Sequence, residues 1–180
     1  DDAVGSVLTA LVGEGVEAET LVFFYSDNGG PTPQTTSRND PLRGFKGQMF
    51  EGGIRVPFMV QWKGRLPAAQ VNHHAVMSFD IYATALAAAG IDVQSATPPI
   101  DGVNLLPYLS GNRDGAPHSS LFWRAGPNHA ARVDGYKLVR QGRTPDQLFD
   151  LDNDIGEQRD LAGTRPDELI RLQAAYAAWD

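Results

Sequence analysis

The chain has no cysteine, so its 180 residues can build neither a disulfide nor a thiolate metal site. Its apolar runs are short, none near the roughly 20 residues that cross a bilayer, and no leader-like segment is visible at its start. Positive charge is also scarce. Fifteen Lys and Arg stand against 22 Asp and Glu, with no basic stripe to neutralise phosphates, which argues against nucleic acid as a partner. No repeat or low-complexity tract is found, which excludes a solenoid. Nor is there an initiating Met. Residue 1 is Asp and a helical pattern begins at once, which reads as a fragment or processed chain.

What the chain does have is concentrated between Leu21 and Pro57. Leu21-Val22-Phe23-Phe24-Tyr25 is too short for a helix and apolar throughout, the pattern of a strand buried on both faces of a parallel sheet. It ends in Ser26-Asp27-Asn28-Gly29-Gly30, and ligands in open α/β sheets gather beyond the carboxyl ends of strands. Leu42-Arg43-Gly44-Phe45-Lys46-Gly47 follows within a long aperiodic stretch from Gly29 to Phe50 that reads as a functional or disordered loop, and Glu51-Gly52-Gly53-Ile54-Arg55-Val56-Pro57 comes directly after it.

The residue types define the chemistry open to this segment. Asp27 and Asn28 offer a carboxylate and an amide oxygen, hard donors suited to Ca²⁺ or Mg²⁺, although the same four residues also read as a tight turn. Lys46, flanked by glycines that let the backbone approach a ligand, can face an anion or simply be solvated, and Arg43 is a weaker candidate for the same anion. Glu51 and Arg55 bracket a glycine pair, consistent with a positive-φ turn and an ion pair that support the Lys46 loop without reacting. His73 and His74 are either exposed loop residues or, for His74, a substrate contact or proton donor. His118 and His129 receive no assignment. Asp150, Asp152 and Asp154 imitate a Ca²⁺ loop, but Ile155 and Leu161 stand where glycine and glutamate are needed.

In this order and spacing, SDNGG, LRGFKG and EGGIRVP resemble the second half of a type I, formylglycine-dependent sulfatase of the alkaline phosphatase-like superfamily. The likeness runs on through Phe79-Asp80-Ile81-Tyr82 to Gly90, Asp101-Gly102-Val103-Asn104-Leu105-Leu106-Pro107, Tyr136-Lys137-Leu138-Val139, Leu148-Phe149-Asp150-Leu151 and the Gly156-Glu157 turn, where Asp160 replaces the usual Asn. It implies hydrolysis of sulfate monoesters such as aryl sulfates. Asp27 and Asn28 would hold a Ca²⁺ or Mg²⁺, and Lys46 would contact the sulfate. The remaining ligands and the formylglycine would come from the N-terminal half of the same enzyme, because no Cys or Ser lies here in a C/S-x-P-x-R motif. The resemblance implies a periplasmic, secreted or lysosomal location. Alternatives are a phosphonate or phosphate monoester hydrolase of the same fold, or a non-catalytic module.

The expected architecture is α/β. A first domain, residues 1–97, comprises the C-terminal part of an alkaline phosphatase-like α/β/α sandwich: a helix from Asp2 to about Val12, the Leu21 strand, a buried strand from Val56 to Trp62, and a helix from Asp80 to Ala89 capped by Ser78 or Asp80 and stopped by Gly90. A second, residues 98–180, is a four-stranded antiparallel sheet at Ser119 to Arg124, Ala130 to Val133, Tyr136 to Arg140 and Gln147 to Leu151, with an Asp134-Gly135 turn. A helix capped near Thr164 would pack on it through Leu169, Leu172, Tyr176 and Trp179.

Overall fold

The computed structural model describes all residues, 1–180. In chain order the elements are α1 (Asp2–Gly13), β1 (Val22–Tyr25), α2 (Glu51–Ile54), β2 (Phe58–Gln61), α3 (Asp80–Ala88), α4 (Leu106–Leu109), β3 (Ser120–Ala125), β4 (Asn128–Val133), β5 (Tyr136–Arg140), β6 (Gln147–Asp150) and α5 (Pro166–Trp179). Two compact units result, one from Asp1–Phe24 with Phe58–His118 and the other from Tyr25–Pro57 with Ser119–Asp180. This division follows contacts, whereas the boundary expected at 97/98 followed the change in sequence style.

In the first unit, β2 pairs with β1 in a two-stranded sheet, with Phe23 and Phe58 6.3 Å apart between ring centroids. The first strand was expected to be buried on both faces and the second to be buried, and neither is fully covered: Phe24 is 45% and Met59 56% exposed. With only two strands paired, no layer of this chain covers those side chains. Trp62 is buried and donates from Nε1 to the Ala18 carbonyl at 3.0 Å. Helix α3 ends at Gly90 as expected, with φ +78 there. Its cap differs: Phe79 is the N-cap, and the Asp80 carboxylate is instead fully buried, accepting from the backbone N–H of Met77 (2.7 Å) and Val103 (2.8 Å) and lying 2.8 Å from His118 Nε2.

The second unit is built on the sheet β3-β4-β5-β6, all neighbours antiparallel. Alternation assigns its faces, since successive strand residues point to opposite sides. Ala131, Leu138 and Leu148 face one side and bury Leu172 of α5 completely. Ala130, Val139 and Phe149 face the other, where Met49 and Phe50 from the loop before α2 close the core. A fully buried Leu or Phe contributes roughly 1.5–3 kcal/mol, so Phe50 anchors the loop as firmly as Leu172 anchors the helix. The capping box at Thr164 does not form: Arg165 is the N-cap of α5 and the Thr164 hydroxyl donates to the Leu161 carbonyl at 3.3 Å.

Candidate functional site

All three loop motifs lie in the second unit, and main-chain hydrogen bonds gather them. Gly29 N–H donates to the Gly53 carbonyl at 3.0 Å, tying the end of β1 to α2. A Cβ on Gly29 would sit 1.7 Å from the Gly52 oxygen, so only glycine permits this approach. Asn39 joins the first motif to the second: its Oδ1 accepts from Gly30 N–H (2.9 Å) while its Nδ2 donates to the carbonyls of Gly30 and Gly44, each at 3.0 Å. Gly52 N–H donates to Arg43 O at 2.6 Å and closes the neck of the loop that carries Lys46.

The glycine pair at 52–53 differs from expectation. It forms the helical turn α2, and neither residue has positive φ. Glycine is needed there for space, because a Cβ on Gly52 would lie 2.5 Å from Gly44 O and one on Gly53 2.1 Å from Gln48 O. Positive φ belongs instead to Gly44 (+88) and Gly47 (+89), which bracket Lys46.

The chemistry-bearing side chains have been left free by this web. Asp27 is exposed and its carboxylate accepts from no group of the chain; Asn28 donates through Nδ2 to Gly29 O at 3.1 Å, leaving Oδ1 open. Lys46 is exposed, its ammonium without a partner. One carboxylate and one amide oxygen fit a hard divalent cation, but as part of a donor set: no group of three or more His, Asp or Glu side chains converges anywhere in the chain.

Arg43 is engaged otherwise. Its guanidinium lies 4.0 Å over the Phe50 ring and donates to the Glu157 carbonyl at 2.9 Å, fixing the loop on the sheet. An open cavity of about 550 Å³ beside it is lined by Arg38, Gln48 and Gln158 among others, but not by Asp27, Asn28 or Lys46. Glu51 is 3% exposed, with Arg55 Nη1 at 3.5 Å from its Oε2. His73 and His74 are exposed in the first unit, and His74 N–H is held by Asn72 Oδ1 at 2.9 Å.

Sequence reasoning gave no role to two residues that hold this site from below. Lys137 of β5, fully buried on the Phe50 face, places Nζ 2.7 Å from Glu51 Oε1 and 2.9 Å from Glu157 Oε1. Glu157, equally buried, accepts the Glu51 N–H at Oε2 over 2.6 Å. Burial pushes the Glu157 carboxyl above its ordinary range, with Lys137 pulling it back only in part. Both residues stand inside recognisable motifs, Tyr136-Lys137-Leu138 and Gly156-Glu157, which was the available signal.

Comparison with known proteins identifies the family. Residues 1–91 match the family model described as Sulfatase. Bovine (Bos taurus) arylsulfatase A is 37% identical over 151 residues, covering 83% of this chain and 29% of that protein. Human (Homo sapiens) arylsulfatase A is 32% identical, covering 96% of this chain and 40% of its own length. The crystal structure of Ps i-CgsB in complex with k-i-k-neocarrahexaose superposes with a TM-score of 0.86 at 30% identity, over 98% of this chain and 40% of that one. The chain therefore spans well under half the length of these relatives. Its fold is that of the sulfatases, alkaline phosphatase-like, and the chain belongs to the sulfatase family.

Proposed function

We propose that the enzyme containing this chain hydrolyses sulfate monoesters, and that these residues supply part of its cation site and one sulfate contact. The supporting observation is the convergence of three glycine-bearing motifs that leaves Asp27, Asn28 Oδ1 and Lys46 Nζ unpartnered within the chain. Asp27 and Asn28 would hold Ca²⁺ or Mg²⁺ together with ligands from the N-terminal half of the same enzyme. Such a cation, when bound, withdraws charge from sulfate oxygens as a Lewis acid. The nucleophile, a formylglycine in this reading, is assigned to that same half.

Lys46 does the work this chain can do unaided. Its ammonium, a compact point charge on a loop fixed at both ends, faces the sulfate and stabilises negative charge as it builds on the ester oxygens. Because the loop is already ordered by Asn39 and Gly52, little reorganisation is needed during the reaction. Arg43, already engaged with Phe50 and Glu157, acts on the loop, and Glu51 with Arg55 supports it from behind. For His74, exposed in the first unit, the reading is a substrate contact. The compartment we propose is periplasmic, secreted or lysosomal; no helix of the chain is long and apolar enough to cross a membrane.

The test is turnover of p-nitrophenyl sulfate by the full-length protein with added Ca²⁺ or Mg²⁺. Lys46→Ala is expected to lower kcat by roughly 10²–10³-fold, the scale of removing one preorganised charge-stabilising group. Preference for p-nitrophenyl phosphate or a phosphonate ester over the sulfate would replace the proposal with a phosphomonoesterase on the same fold.

A further inference from the structure

Glu157 takes no part in the chemistry just described, yet it touches both ends of the Lys46 loop. Its backbone carbonyl accepts from Arg43 Nη1 at 2.9 Å, and its carboxylate accepts from the Glu51 N–H at 2.6 Å. The residues it holds are 114 and 106 positions away in sequence, and Lys46 lies between them. Arg43 O receives the Gly52 N–H at 2.6 Å, so the clamp sits at the loop's closed neck.

The residue is expensive to keep. It has φ +52, a left-handed backbone that favours glycine, and its carboxylate is fully buried. Its Oε1 lies 2.9 Å from Lys137 Nζ, an ammonium it shares with Glu51. Lys137 is already matched by Glu51 at 2.7 Å, so charge balance in the pocket does not call for a second acid. What Glu157 adds is the grip on positions 43 and 51.

Resting on the sulfate reading of Lys46, we propose that Glu157 is a positioning residue for the anion-binding loop, setting where the Lys46 ammonium stands relative to the sulfate. Shortening or removing its side chain frees the Glu51 N–H and lets the neck of the loop shift. An ångström-scale misplacement of a catalytic group costs up to roughly a hundredfold in rate.

The experiment uses the full-length enzyme and p-nitrophenyl sulfate, with each Glu157 variant made alone and together with Lys46→Ala. Glu157→Gly suits φ +52 and leaves Lys137 paired with Glu51, so the fold is retained; Glu157→Asp keeps the charge one methylene too short to reach the Glu51 N–H and tolerates the left-handed backbone. Both should lower kcat/KM by about tenfold or more. Glu157→Gln, which preserves an acceptor at full length, should recover most of that loss. In the Lys46→Ala background, Glu157→Gly should cost nothing further. Equal losses with and without Lys46, or melting temperatures that fall while kcat/KM stays at the wild-type value, would reduce Glu157 to general support and overturn the proposal. If Lys46→Ala is damaging and Glu157→Gly silent, the clamp has failed and the sulfate reading stands. If Lys46→Ala is silent and Glu157→Gly damaging, the sulfate reading has failed and the proposal falls with it.

Discussion

Replacing Lys137 with methionine removes the cation that two buried carboxylates share. Nζ is 2.7 Å from Glu51 Oε1 and 2.9 Å from Glu157 Oε1, and the side chains of all three are at most 4% exposed. Methionine fills similar volume, so the cost is electrostatic and not a cavity. Arg55, half exposed and 3.5 Å from Glu51 Oε2, offsets little of it. Removing one partner of a buried ion pair costs about 3–5 kcal/mol, against a total stability of about 5–15 kcal/mol for a domain. In a protein of this size that is a fall in melting temperature of roughly 6–20 °C. Urea denaturation of wild type and Lys137→Met at pH 5 and pH 8 measures it. The loss should be larger at pH 8, because at pH 5 protonation of Glu157, whose carboxyl already titrates high, relieves part of the repulsion. Adding Glu157→Gln to Lys137→Met should recover part of the stability. A loss under about 1 kcal/mol at pH 8, or one independent of pH, would mean that the trio is not held as ionised charges.

Gly29→Ala should cost about 1–3 kcal/mol or more and depress turnover, since its Cβ would meet Gly52 O at 1.7 Å; Gly5→Ala, with open space around it in α1, should leave turnover unchanged, and the two are compared by thermal melts and kinetics. Asp27→Ala should raise the Ca²⁺ or Mg²⁺ concentration for half-maximal turnover of the full-length enzyme while shifting its metal-free melting temperature little, because the carboxylate has no partner in the chain; an unchanged cation requirement would remove Asp27 from the site. A carboxyl raised by burial binds its proton more tightly when folded. The stability tied to Glu157 is therefore fully present below the ordinary value of 4.5 and is lost as pH rises through its higher folded value, so Glu157→Gln should flatten that limb of a pH–stability curve.

Much of this architecture is legible in the sequence for physical reasons. The antiparallel sheet announces itself because Leu138 and Leu148 must face Leu172 while Val139 and Phe149 face Phe50, which enforces a period of two, and Asp134, at φ +53, makes the turn its Asp-Gly dipeptide suggested. Helix α1 likewise follows from local spacing. The errors occur where distant partners overrule local preference. Two glycines in a row argue for a turn, yet Glu51–Ile54 is helical because the Glu51 N–H is taken by Glu157 and the Gly52 N–H by Arg43. The apolar run at β1 reads as buried on both faces and that at β2 as buried, but a run of apolar residues reports what a strand can cover and not whether a neighbouring layer of the chain covers it.

The candidate site divides along the same line. Asp27, Asn28 and Lys46 stand out because each belongs to a short glycine-bearing motif, so the local sequence carries most of what defines it. Lys137 and Glu157 are hidden for the opposite reason. A lysine in a strand reads as solvent-facing, and only the arrival of Glu51, 86 residues earlier, turns that position into a buried anchor. The groups that would meet the substrate are thus specified locally, while the groups that fix their positions are specified by contacts between distant segments. Substitutions at Lys46 should therefore alter catalysis with little effect on stability, and substitutions at Lys137 should alter stability first.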